Sequence, residues 1–183
     1  MMKPRATGVL FEYWDTLRGT RRAPDRSDIE PRAIQACLAD TFVLSFAPEE
    51  GHPFRIAGTA LCAMFGAELT RTSFVRLWGV NERPAIRDLI GAVVENLEGV
   101  TASVTGRNGL AEQAELEMIL LPLTSADGAG RVLGALTLPA APYWLATRRL
   151  ESLSLGEMRT AGHGGSVLNI RPSLRHITRN FHG

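Results

Sequence analysis

Lysine is almost missing from this chain. Lys3 is the only one, and every other basic residue is arginine; a GC-rich coding sequence explains that bias, although arginine forks also suit phosphates and carboxylates. Cysteine is scarce too. Cys37 and Cys62 are the only two, they lack the spacing and companions of a zinc site, and a secreted disulfide framework uses more. Both are expected as small buried apolar residues in a reducing cytosol. No apolar run approaches the roughly 18 residues of a membrane span, and Glu12 and Asp15 interrupt the first apolar stretch, so no secretory segment is expected. The expectation is a soluble, cytoplasmic protein. Histidine is limited to His52, His163, His176 and His182, none beside a cysteine or carboxylate at metal-ligand spacing. No metal site is expected. Nucleophile elbow, P-loop and dinucleotide fingerprint are all absent, so hydrolase, nucleotidase and dehydrogenase readings have no motif.

What is present suffices for one globular unit with appendages: 183 residues, 45% of them hydrophobic. The formal charge of +1 is unevenly distributed, with +2 over residues 1–35, −5 over residues 36–147 and +4 over residues 148–183. A mildly acidic middle with basic ends argues against a dedicated nucleic-acid binder, whose basic residues line one face of the folded domain.

Val9, Leu10, Tyr13, Trp14 and Leu17 fall on one side of a helix from Val9 to Arg18 that Gly19 can end. Isolated helices below about 12–15 residues are marginal, so this stripe needs a partner, either its own domain or a second subunit. The charged connector "LRGTRRAPDRSDIEP" follows. Ile34, Cys37 and Leu38 then mark a second short helix from about Pro31 to Asp40, with Ser27–Glu30 or Asp28 as alternative caps. "TFVLSF" and "PFRIAG" read as a hairpin, Thr59 to Phe65 as a short helix stopped by Gly66, and Asn81 opens the strongest helix. In it Ile86, Leu89, Ile90, Val93, Val94 and Leu97 keep a three-four period up to Gly99. The strand-like runs "VTASVTG", "AELEMILLPLT" and "RVLGALTLP" come last. Beyond Pro139 the pattern loosens. Two strands, a helical crossover and a three-strand meander make an α+β domain: a five-stranded antiparallel sheet with helices on one face, preceded by an amphipathic N-terminal helix.

That order, from about Thr41 to Pro139, resembles the PAS fold. More narrowly the chain is similar to a family of small bacterial proteins built of little more than one PAS domain. The residues that carry the resemblance are "YWDTLRG" and "PDRSDIEP", "FRIAGTAL", "FGAELTRTSF" with the following "LW", and "LPL". It extends to about Leu155 and divides the chain into residues 1–40 as helical extension and arginine-rich connector, 41–139 as the PAS-like domain, and 140–183 as a C-terminal extension, partly extended, with a flexible tail. The resemblance implies sensing or protein–protein signalling without catalytic turnover, through a sheet–helix cavity and dimerising flanking helices. It also implies what cofactors to look for. A haem ligand in such proteins is an imidazole on the long helix, and Pro84 to Leu97 contains none; a flavin adduct needs a cysteine where Ser73 stands, and serine cannot supply a thiolate. No cofactor is expected, leaving room for an unidentified small ligand.

Position within such a domain nominates Phe54, Ile56, Met64, Phe65, Phe74, Trp78, Ile90 and Val94 as pocket candidates. Val9, Leu10, Tyr13, Trp14, Leu17, Arg18, Arg26 and Asp28 are nominated for a partner or homodimer interface. Three features are read as structural. Arg18 and Arg22 with Asp25 and Ser27 are similar to the arginine-and-turn motif of the PilZ cyclic-dinucleotide barrel, but the two parts nearly touch and Glu30 stands where glycine is needed. Glu115 and Glu117 share the wet face of a strand, and "GHGG" at 162–165 is a flexible link. The rivals are a small α+β-cone enzyme of isomerase or hydrolase type, which needs an isolated acid in its pocket, and a nucleic-acid-associated protein using its basic ends.

Overall fold

The computed structural model describes residues 5–161; the "GHGG" link, His163, His176, His182 and the rest of the tail lie outside them. Helix α1 (Ala6–Arg18) starts three residues before the expected Val9 and ends where Gly19, at φ 56°, turns back so that its N–H bonds the Asp15 carbonyl. The connector is built from 3-10 turns. Pro31–Ile34 and Leu38–Asp40 are two separate turns and not the single helix expected there. Neither expected cap forms: Asp25 accepts from the Ser27 N–H and Asp28 accepts from the Asp25 N–H, closing a reciprocal box around the turn Arg26–Asp28.

Strands β1 (Thr41–Ser45) and β2 (Phe54–Ala57) form the expected hairpin. Helix α2 (Thr59–Phe65) is stopped by Gly66 in the left-handed conformation. Helix α3 (Arg83–Asn96) carries the long apolar period, but Leu97, at φ 53°, makes its left-handed turn two residues ahead of Gly99. Strands β3 (Gly99–Arg107), β4 (Gln113–Leu123) and β5 (Arg131–Thr137) follow.

A sixth strand, β6 (Ser152–Ala161), completes an antiparallel sheet in the order β2-β1-β5-β4-β3-β6. The five-stranded expectation is corrected here. The residues after Pro139 hid this strand because of a bulge: Ala102 pairs with Met158 but Val104 pairs with Leu155, so three residues of β6 span two of β3. The extra residue switches the side-chain parity. Buried Leu153 and Met158 therefore stand five apart instead of an even number.

Helices also cover both faces of the sheet, not one. On the first face, α2 and α3 pack on Phe42, Leu44, Val104, Leu116, Met118, Leu120 and Leu136. On the second, Ala6, Leu10 and Trp14 of α1, together with Ile34 and Cys37, pack on Ile119, Leu121, Leu133 and Ala135. Alternation along β4 divides it between the two cores, with Met118 and Leu120 inward to α3 and Ile119 and Leu121 outward to α1. Burying a side chain such as Leu10 contributes about 1.5–3 kcal/mol, which is how a helix too short to persist alone is held. The close fit of sheet to core shows at Gly134, where an added Cβ would stand 2.4 Å from Phe42 Cζ.

Candidate functional site

The interior between sheet and helices is lined by a continuous run of rings. Phe42 on β1 meets Phe54 on β2 at 5.7 Å between centroids and Phe74 at 5.5 Å, and Phe74 meets Trp78 at 5.8 Å. Most of these contacts are tilted or edge-to-face, as the ring quadrupoles favour. The 3-10 turn Val75–Leu77 delivers Phe74 and Trp78 together, and Ile86, Leu89, Ile90 and Val93 of α3 belong to the same buried cluster.

Six of the eight pocket candidates come together there: Phe54, Met64, Phe65, Phe74, Trp78 and Ile90 are all buried in this core. Val94 is half-buried and packs against its rim. Ile56 does not belong to it; the bulge between Val43 and Leu44 turns the β2 edge, and Ile56 is 58% exposed. Trp78 has one further property. It is 1% exposed and its indole Nε1 has no hydrogen-bond partner among the described residues; a buried donor left unpaired costs about 1–3 kcal/mol.

His52 stands at the edge of this region. It is wholly buried, lies stacked 5.2 Å from Phe46, and its Nδ1 accepts the Ala47 N–H at 3.2 Å while Nε2 has no partner. Burial holds its imidazole below the ordinary value by disfavouring the charged ring. Ser73 donates to the Gly51 carbonyl at 3.0 Å and accepts from the Arg76 N–H, an ordinary loop staple.

The second face carries the interface candidates. Leu10 and Trp14 are buried against the chain's own sheet, so an intramolecular surface takes the stripe assigned to a partner, and Trp14 Nε1 donates to the Pro122 carbonyl at 2.8 Å. Val9, Tyr13 and Leu17 are half-buried along the same edge, and the Tyr13 hydroxyl accepts the Glu30 N–H. Arg18 bonds Asp15 at 2.7 Å and lies 5.1 Å over the Trp14 ring. Asp28 pairs with Arg21 at 3.0 Å, and Arg26 is held by its own backbone N–H on the Thr124 carbonyl. Arg22 donates to the Asn96 carbonyl, so Arg18 and Arg22 serve separate structural contacts.

Beside the first turn of α1 no described residue covers the second face over β3 and β6. A cleft of about 330 Å³ runs there, lined by Thr7, Thr101, Ser103, Glu117, Glu157 and Arg159. Glu117 receives Arg5 and the Thr7 hydroxyl, and Glu115 stands beside Thr105. Among the described residues no group of three or more His, Cys, Asp or Glu is placed to hold a metal, and no helix is long and apolar enough to cross a membrane.

Sequence reasoning missed Arg131. It is 7% exposed with an unpartnered Nε, although it opens β5 on the same side as Leu133 and Ala135. That parity, an arginine two and four residues before buried outward positions, was the available signal.

A family model described as a PAS domain matches residues 2–137, from α1 through β5. No curated protein matches the chain. Among solved structures, a fungal LOV domain photoreceptor aligns over 55% of this chain and 75% of that chain, with 12% identity and a TM-score of 0.40.

Proposed function

Since the chain belongs to the PAS domain family, we propose that it is a sensory module whose input enters the sheet–helix core and whose output leaves through α1 and the open second face. The observation that carries this reading is the buried, unpartnered Nε1 of Trp78 among six pocket candidates. An indole N–H placed in an apolar interior selects an occupant with an acceptor atom, and a mostly apolar lining with few polar groups is what small-ligand sites use.

Strand β4 supplies the route outward. Met118 and Leu120 touch the receiving core while Ile119 and Leu121 touch α1, so a shift of this strand moves both sides together. The adjoining Pro122 carbonyl holds Trp14 directly. In this reading the protein works in the bacterial cytoplasm without turnover, as a homodimer or bound to a signalling protein through Val9, Tyr13, Leu17 and the exposed parts of the connector.

Native mass spectrometry of freshly purified protein tests both halves. The expected spectrum shows a dimer or a captured partner, and a bound small molecule that is lost in Trp78→Phe. An empty monomer that captures nothing from its native cell extract overturns the proposal.

A further inference from the structure

Arg131 is a buried charged side chain that closes no ion pair among the described residues. It opens β5, its Cα partners are Ser45 on β1 and Leu123 on β4, and its parity with Leu133 and Ala135 turns it to the second face of the sheet. Only 7% of the residue is exposed. One guanidinium nitrogen donates to the adjacent Gly130 carbonyl at 3.0 Å, while Nε has no partner.

Two further arginines converge on it. Arg55 is the extra residue of the β2 bulge, between Phe54 opposite Leu44 and Ile56 opposite Val43, and its charge reaches Arg131. Arg26 is brought in by the connector, whose backbone bonds Arg26 N to Thr124 O at 2.8 Å, one residue beyond the Leu123 that pairs with Arg131. Among the described residues no ion pair involves Arg26, Arg55 or Arg131. Asp127 is the acid whose charge reaches Arg131, but its carboxylate is bonded to Ser125 and to the Ala129 N–H. Burial first, then repulsion from Arg55, disfavours the charge on Arg131.

Among the described residues Asp127 and Asp25 are the acids whose charge reaches this end of the sheet, and neither closes an ion pair with the three guanidinium groups gathered there. We propose that Arg131, Arg55 and Arg26 form a binding site for a small phosphate-bearing anion, seated between the β1–β5 end of the sheet and the connector. Arginine forks match the oxygens of a phosphate in geometry and charge. Arg131 is positioned by the fold, and Arg55 and Arg26 are the exposed arms that close on the anion. The site lies on the face opposite the Trp78 core and does not depend on the ligand proposed there.

The test is calorimetric titration of the full chain with inorganic pyrophosphate, a nucleoside diphosphate and citrate, at constant ionic strength so that general screening is held fixed. Saturable binding of pyrophosphate is expected, weakened about tenfold or more in Arg55→Gln and again in the Arg26→Gln/Arg55→Gln pair. Both positions are exposed, so these variants keep the fold. Equal binding of the nucleotide marks the phosphate group as sufficient, and tighter binding marks a nucleotide as the source. Absence of saturable pyrophosphate binding, undiminished binding in the paired variant, or binding of citrate alone overturns the site. Arg131→Met separates a structural role: a stabilised variant together with a wild type that binds no phosphate also sinks the proposal.

Discussion

The indole of Trp14 donates a 2.8 Å hydrogen bond to the carbonyl of Pro122, 108 residues further along the chain. The bond is buried, and with Leu10 it is what seats α1 on β4 and β5. Trp14→Phe keeps most of the ring but leaves Pro122 without a donor, with an expected loss of about 1–3 kcal/mol. Trp14→Ala is expected to lose about 3–5 kcal/mol. Urea denaturation measures both, and a Trp14→Phe midpoint equal to that of wild type would contradict the seating.

Trp78 makes the opposite case. Its N–H is buried without an acceptor, so Trp78→Phe removes a desolvated donor as well as some packing volume. The two effects offset, and ligand-free protein is expected to stay within about 1 kcal/mol of wild type. Comparison with Trp14→Phe under the same denaturation conditions checks this, because a loss larger than that of Trp14→Phe means the Trp78 N–H has a partner after all.

His52 gives the protein a pH dependence of definite sign. Burial lowers the folded-state value, so below about pH 6.5 the unfolded chain binds a proton that the folded chain resists. Stability contributed by the neutral ring is present above that pH and falls as the solution is acidified through it. His52→Asn keeps an acceptor for the Ala47 N–H and suits the local φ of 53°. Thermal melts from pH 7.5 down to pH 5.5 should fall less for this variant than for wild type; parallel curves would remove His52 as the cause.

Gly134→Ala is expected to destabilise by about 1–3 kcal/mol or more, because the new methyl meets both the Phe42 ring at 2.4 Å and the Ile119 carbonyl at 2.9 Å. Backbone on one side and a fully buried ring on the other leave little room to give. A thermal midpoint within a degree of wild type would show that the sheet relaxes there.

Leu153→Ala tests whether β6 is part of the folded unit. Leu153 is fully buried in the principal core, and its truncation is expected to cost about 2–5 kcal/mol. A negligible change would place β6 outside the cooperative unit.

Those residues also show where the sequence could be read. The three-four period of α3 and the alternation of β4 reflect burial on one side of a regular element, and such signals survive without tertiary knowledge. The bulge opposite Ala102 and Val104 shifts the parity of β6 partway along, so its apolar residues match neither template. The aromatic interior was legible from Phe54, Phe74, Trp78 and Ile90, whose burial follows from hydrophobicity alone. Ile56 was misplaced because a bulge, invisible in sequence, rotates the edge of β2. The arginine cluster was hidden for a different reason: its members lie on β2, β5 and the connector, and only strand pairing brings them together.

Strand order fixes one thing more. The hairpin β1–β2 and the meander β3–β4–β5 each pair neighbours in the chain, but β1 joins β5 across everything between them. Closing that seam requires the longest loop, so on refolding the amides shared by Phe42–Ser45 and Arg131–Gly134 should be the last of the central sheet to resist exchange. The line where hairpin and meander meet is therefore where the sheet is expected to close last.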